Sequence, residues 1–268
     1  MRIVTFNILG GRTQHDDEVD VSVLQEAIAE LDPDVLALQE VDHLLQRSGH
    51  ADLTAIAAEA MGAVDHRFVA ALAGSPGATW TAATGDEQPH DAAYGIALLS
   101  RLPVIGWQVV RLPSVSTPVP MRFPGNLLPT WVHDEPRVAV AATVAAAEGP
   151  LTVVTTHLSF IRWWNGRQLR QLMRSLSGAS RPLVLTGDLN MDLQQAARVS
   201  GLTPLAEHPT FPADHPREQL DHILADPPLV ARSSARRMAL SDHRALIVDL
   251  EPAQVSRRTP APRRTPAG

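Results

Sequence analysis

The chain has 268 residues, no cysteine and a formal net charge of −6 at neutral pH. That length allows one large domain or two small ones, with a core that needs no covalent staples, and a single folded body is the simpler reading. Without cysteine, disulfides and thiolate metal sites are excluded, so any metal must rest on oxygen or nitrogen.

The chain opens on Arg2-Ile3-Val4-Thr5-Phe6, an apolar alternation that predicts a strand over Ile3 to Phe6. It shows no basic segment, long apolar run and small-residue cleavage site in the order of a secretion signal. Together with the lack of cysteine, this leads to the expectation of a cytoplasmic protein. No stretch reaches about 18 apolar residues, so no membrane span is expected. A helix follows over roughly Val21 to Leu31, stopped by Asp32-Pro33, then a strand over Val35 to Gln39 and a helix over roughly Leu53 to Met61, stopped by Gly62. Residues Gly74 to Ala93 and Pro113 to Pro136, rich in Pro, Gly, Thr and Asp, read as long loops carrying Trp80, Phe123 and Trp131.

Strands are predicted over Ile96 to Leu99, Val138 to Val144, Leu151 to Thr155, Leu183 to Thr186, Ile223 to Leu224 and Ala245 to Leu250. Leu169, Leu172, Met173 and Leu176 recur at helical spacing and predict a helix over Arg167 to Leu176, with Arg167, Arg170 and Arg174 on its other face. Strands and helices mixed in this way imply an α/β or α+β domain over residues 1–251. Residues 252–268 lack the apolar content to fold and are expected to be disordered. That tail holds four arginines and no acid, leaving the body with 19 basic and 29 acidic residues, a net of −10. An acidic body is a poor nonspecific binder of polyanions, whose affinity comes from basic side chains neutralising phosphates.

Polar residues gather where the predicted strands begin or end: Asn7, Glu40, His157, Asp188 with Asn190, Asp221, and Asp242 with His243. Singly, each has a structural reading. Asn7 before Gly10-Gly11 and the Gly187 to Asn190 run suit turns, Glu40 beside Asp42 suits a solvated charge, and His157 suits a hydrogen-bonded structural role. Jointly they suit metal-assisted hydrolysis of a phosphoester. A hard cation such as Mg2+ takes one or two carboxylates, and the reaction needs a group that orients water and donors for the phosphate oxygens.

The ordered set Phe6-Asn7, Leu38-Gln39-Glu40-Val41, Gly95 to Arg101, Thr156-His157-Leu158, Gly187-Asp188-Leu189-Asn190, Leu220-Asp221-His222-Ile223 and Ser241-Asp242-His243 resembles the endonuclease/exonuclease/phosphatase superfamily. That group includes deoxyribonuclease I, apurinic endonucleases, inositol polyphosphate 5-phosphatases and neutral sphingomyelinases. The resemblance implies a deoxyribonuclease I-like fold, a four-layer α/β/β/α sandwich of two packed mixed sheets. It implies a Mg2+ site, with Mn2+ as a substitute, at Glu40 with Asn7 and Asp242 nearby. Asp188 then orients the attacking water and Asn190 helps hold water or phosphate. His243 meets the scissile phosphate with Asp221 behind it, and His157 is a second phosphate ligand or leaving-group acid. Arg137, which begins a strand, is a phosphate-binding or structural candidate, whereas His222 reads as structural. Trp163 and Trp164, just after His157, either face substrate or cover the start of the next helix.

The expected function is a Mg2+-dependent phosphodiesterase or phosphomonoesterase acting on nucleic acid, a small organic phosphate or a phospholipid head group. The alternatives are a DNA nuclease, a sphingomyelinase-like lipid phosphodiesterase, or an inactive binding protein that kept the fold. A monomer is expected.

Overall fold

The computed structural model describes residues 1–13, 19–76, 79–87, 90–121 and 128–251. The tail 252–268 and Phe123 therefore lie outside the described residues. The strands are β1 (Arg2–Asn7), β2 (Val35–His43), β3 (Asp65–Gly74), β4 (Trp80–Ala82), β5 (Ala93–Ser100), β6 (Val104–Leu112), β7 (Val119–Met121), β8 (Thr130–Val132), β9 (Arg137–Ala146), β10 (Gly149–His157), β11 (Leu183–Asp188), β12 (Thr203–Pro204), β13 (Asp221–Asp226), β14 (Ala231–Arg236) and β15 (Ala245–Leu250). The helices are α1 (Val21–Leu31), α2 (Leu53–Met61), α3 (Arg162–Ser175) and α4 (Leu193–Ser200). Asp20, Asp52 and Asp192 cap α1, α2 and α4 by accepting from backbone N–H groups of the first turn, each worth about 1 kcal/mol.

Among the described residues the strands build a seven-stranded sheet, β14-β15-β1-β2-β5-β3-β4, and a six-stranded sheet, β12-β13-β11-β10-β9-β6, with β7 and β8 as a separate hairpin. Both large sheets are mixed: β1 runs parallel to β2 and antiparallel to β15, while β10 runs parallel to β11 and antiparallel to β9. Strand alternation assigns side chains to layers. Ile3, Val35 and Leu98 of the first sheet meet Val140, Val153 and Val184 of the second in the central core. Val4, Phe6, Leu36 and Leu38 turn outward onto Leu24, Ile28 and Leu53 of α1 and α2. Leu183, Leu185 and Val154 turn outward onto Leu169 and Leu172 of α3 and Ala196 of α4. The four layers of an α/β/β/α sandwich follow, held by aliphatic side chains worth about 1.5–3 kcal/mol each when fully buried.

The expected helices over Val21 to Leu31 and Leu53 to Met61 are present with those bounds. The third begins at Arg162, five residues before the expected start at Arg167, because Asn165 and Gly166 are buried and extend the packed face backward. The two expected long loops contain β4 and the β7–β8 hairpin. α4, β3, β6 and β14 had no counterpart in the periodicity. β6 and β14 are sheet edges with largely exposed side chains, so backbone pairing defines them instead of an apolar run.

Candidate active site

Strand direction brings the polar strand ends together. β1 ends beside Gln39 of parallel β2, which does not stop there as expected but runs on through a bulge to His43, and antiparallel β15 starts at the same edge, which collects Asn7, Glu40, Asp242 and His243. In the second sheet β10 and β11 end together and antiparallel β13 starts there, pairing His157 with Asp188 and Asp188 with Asp221. Glu40 lies in a bulge of β2, where register slips between Leu38 and Val41, and has φ of 54°. Asn190 and Ser241 are also left-handed, with φ of 52° and 71°. Such conformations cost about 1–3 kcal/mol each and cluster at functional sites. Gly187 (φ 130°) lets the sheet close before Asp188, since a Cβ there would sit 2.0 Å from the Thr156 carbonyl oxygen.

Asn7 joins the two sheets. Its Nδ2 donates to Glu40 Oε1 at 3.0 Å and to Asp188 Oδ2 at 3.1 Å, while its Oδ1 accepts from the Leu9 backbone N–H at 3.1 Å. The Leu9 donor sets the amide's orientation, so the nitrogen faces the carboxylates. Asp188 Oδ1 accepts from the Asn190 backbone N–H at 3.0 Å, and Asn190 Nδ2 donates to the Leu158 carbonyl. His243 Nδ1 is 2.8 Å from Asp221 Oδ2, and its Nε2 faces Asp188 Oδ2 at 3.8 Å. His157 Nε2 faces the same Asp188 oxygen at 3.6 Å. Behind His157, Arg137 Nη1 lies 3.3 Å from Nδ1. A guanidinium only donates, so His157 Nδ1 accepts and its proton sits on Nε2, directed at Asp188.

Burial foremost, and then the Asp221 charge, push the Asp188 carboxyl up to about 7 against the pull of His243, Asn7 and Asn190. Burial acts to lower His243, but the Asp221 charge and hydrogen bond, with Asp188 and Asp242, raise it to about 10. His243 is therefore an imidazolium at neutral pH. Burial, then the charges of Arg137 and His243, hold His157 well below an ordinary histidine, so it is neutral. One carboxyl poised near neutrality thus stands between a cationic and a neutral imidazole.

Asn7, Glu40, His157, Asp188, Asn190, Asp221 and His243 are joined by these contacts. Asp242 is partly exposed and reaches the group through its charge on His243. Arg137 is only 6% exposed and lies between His157 and Glu135, whose Oε2 is 3.5 Å from Nη2. Trp163 and Trp164 are not brought to the centre. They form the first turn of α3, Trp164 Nε1 donates to the Pro113 carbonyl, and Arg167 lies over both rings at 5.7 Å. His222 points the other way, with Nε2 2.8 Å from the Met191 carbonyl oxygen, in keeping with its structural reading.

Several supporting residues escaped sequence reasoning. Ser241 Oγ donates to the Asn7 carbonyl at 2.5 Å and accepts from the His243 backbone N–H, tying β1 to the start of β15. Buried Asn165 donates to the Asn190 carbonyl at 2.7 Å. Arg47 grips buried Asp42 with two bonds and lies over the Tyr94 ring. Ser241 belongs to the Ser241-Asp242-His243 run, which carries no sign of these bonds, and Asn165 and Arg47 carry no local signal.

The donor set suits a hard cation: Glu40 and Asp242 offer oxygens from residues not fully buried, and Asn7 steadies Glu40. Asp188, Asp221 and His243 also have one donor atom each within 4.8 Å of one another and could hold a metal. There, however, the hydrogen bond to Asp221 occupies His243 Nδ1, and a protonated imidazole is a poor ligand.

The model of the Endonuclease/Exonuclease/phosphatase family matches residues 4–243. No curated protein matches the sequence. Among solved structures, an endonuclease/exonuclease/phosphatase from Beutenbergia cavernae is 21% identical with a TM-score of 0.67, covering 94% of this chain and 71% of that one. A mannosyl-6-phosphatase from Bacteroides thetaiotaomicron is 17% identical with a TM-score of 0.61, covering 94% and 99% of the two chains. The human Nocturnin catalytic domain, with bound sulfate, is 19% identical with a TM-score of 0.59, covering 94% of each. At these identities the likeness is one of fold. No helix among the described residues is long and apolar enough to cross a membrane.

Proposed function

The chain belongs to the endonuclease/exonuclease/phosphatase family, whose members are phosphoric ester hydrolases, and from that premise we propose that it hydrolyses a phosphodiester or phosphomonoester by in-line attack of water. The observation that carries this reading is the meeting of both imidazole Nε2 atoms on one oxygen of Asp188, at 3.6 and 3.8 Å. In this reading a phosphate sits against both Nε2 atoms with the attacking water beside it. Asp188, held through both oxygens, orients and deprotonates the water. His243, kept cationic by Asp221, donates Nε2–H to a nonbridging phosphate oxygen, and His157 donates its own Nε2–H to a phosphate or leaving oxygen. Asn190 keeps Asp188 aimed through its backbone N–H.

The residues that would hold Mg2+, or Mn2+ in its place, are Glu40 and Asp242, with Asn7 fixing the Glu40 carboxylate. Such an ion, when bound, supplies Lewis-acid stabilisation of charge developing on the phosphate and leaving oxygens. The mannosyl-6-phosphatase among the structural neighbours is in keeping with a small organic phosphate as substrate.

The test is release of p-nitrophenol from p-nitrophenyl phosphate and bis-p-nitrophenyl phosphate with Mg2+, with Mn2+ and with chelator. Metal-dependent release from at least one ester supports the proposal, and the ratio between them separates monoesterase from diesterase. Failure to hydrolyse either ester with either metal would overturn it.

A further inference from the structure

Beside the centre a cavity of about 780 Å³ opens between the first turns of α3 and α4 and the segment leading into β13. Asn190 and Leu220, the near neighbours of Asp188 and Asp221 in sequence, line it, so it borders the place where the reacting phosphate would sit. Its wall includes Phe160, Arg162, Asn165, Gln195, Glu207 and Arg217. The guanidiniums only donate, the carboxylate only accepts, and the amides do both. Arg162 and Arg217 are exposed and their side chains make no hydrogen bond or ion pair among the described residues. Asn165 is fully buried, spends Nδ2 on the Asn190 carbonyl, and leaves Oδ1 without a partner.

We propose that this cavity is a binding subsite for the alcohol half of the substrate and that this alcohol is a polyol, such as a sugar or sugar alcohol. The proposal rests on the phosphoesterase reading of the neighbouring centre. A hydroxyl both donates and accepts, so a row of them suits a wall that carries the Arg162 and Arg217 donors together with the Glu207 acceptor and the Gln195 amide. A nucleobase would call for flat aromatic faces, whereas Phe160 is the aromatic ring on this wall. An acyl chain would call for an apolar lining, and a nucleic-acid strand for net positive charge, which Asp192, Glu207 and Glu218 offset here. In the reaction a water oxygen forms a bond to phosphorus as the bond to the polyol oxygen breaks. The proton released by the water passes to that oxygen, and the polyol leaves as the free alcohol.

Two measurements test this on the full chain. With Mg2+, glucose 6-phosphate is expected to show kcat/KM about 10-fold or more above that of adenosine 5′-monophosphate. The double variant Arg162→Ala/Arg217→Ala is expected to raise KM for glucose 6-phosphate about 10-fold while kcat, and hydrolysis of p-nitrophenyl phosphate, stay within about 2-fold. Preference for the nucleotide, or equal losses on both esters, would overturn the subsite. Saturation-transfer NMR with glucose 6-phosphate reads the cavity without turnover: binding lost in the double variant supports it, and unchanged binding rejects it. Should no ester be hydrolysed while this binding persists, the phosphoesterase reading fails and the polyol site stands.

Discussion

Asp221→Asn removes one charge and almost no volume from the pair that sets His243. Asp221 is fully buried, with Oδ2 2.8 Å from His243 Nδ1 and Oδ1 without a partner. Burial alone would depress the imidazole, yet the Asp221 charge and hydrogen bond, with Asp188 and Asp242, lift it from 6.5 to about 10. At 1.36 kcal/mol per pH unit, that gap is about 5 kcal/mol in favour of the imidazolium in the folded state. Because the folded value lies above the unfolded one, this stabilisation is complete below about pH 6.5 and is lost as pH rises towards 10. An asparagine keeps an acceptor for Nδ1–H but not the charge, so burial prevails and His243 becomes neutral at pH 8. The variant is expected to lose about 3 kcal/mol of stability at pH 7, since breaking a buried pair costs about 3–5 kcal/mol and the amide recovers part of it. Its kcat is expected to fall about 10⁴-fold, the scale known for neutralising an orienting carboxylate behind a catalytic histidine. Urea melts from about pH 5 to 10 give the first quantity, and 15N NMR of the His243 ring gives its protonation directly. A His243 midpoint that stays near 10 in the variant would show that the Asp221 charge does not hold the imidazolium.

Burial raises Asp188 from 3.8 to about 7, so its ionisation opposes folding and stability falls as pH climbs through that window. Asp188→Asn is therefore expected to melt higher than the parent at pH 8 in chelator while losing about 10³-fold or more in kcat; a lower melting temperature would contradict the burial argument. Glu40→Gln is expected to raise the Mg2+ needed for half-maximal activity about 10- to 100-fold, read by metal titration, and an unchanged requirement would remove Glu40 from the ion. Arg137→Met deletes the donor to His157 Nδ1 and should convert the ring from the Nε2–H form to a mixture visible in its 15N shifts, with activity down about 10-fold. Gly187→Ala drives a Cβ to 2.0 Å from the Thr156 carbonyl oxygen and is expected to cost about 3 kcal/mol or more by urea melts.

Strands buried on both faces were legible because they read as apolar runs: Val35 to Leu38 and Leu183 to Leu185 are fully buried. Edge strands hid because half of their side chains face water, as in Ala231–Arg236, where burial alternates and both ends are held by backbone pairing to β15. The polar strand ends could be gathered from the chain, but not their partners. Strand direction and register decide that Asp188 faces Asp221, and only close packing of the two sheets brings Asn7 to both Glu40 and Asp188. For the tryptophans the chain left two readings open, and helical phase puts Trp163 in solvent at 54% exposure while it anchors Trp164 to Pro113 at the start of α3. Arg137 was legible as a candidate but not as the residue that fixes the His157 proton, because that depends on a 3.3 Å contact across neighbouring strands.

In the proposed site one divalent ion at Glu40 and one phosphate between two imidazoles share the end of the sandwich. Anomalous diffraction from crystals soaked in Mn2+ and inorganic phosphate addresses it in a single data set. The ion is expected on the Glu40 carboxylate and the phosphate within hydrogen-bond reach of His157 and His243 Nε2. An ion seated instead among Asp188, Asp221 and His243, or a phosphate distant from both imidazoles, would contradict it.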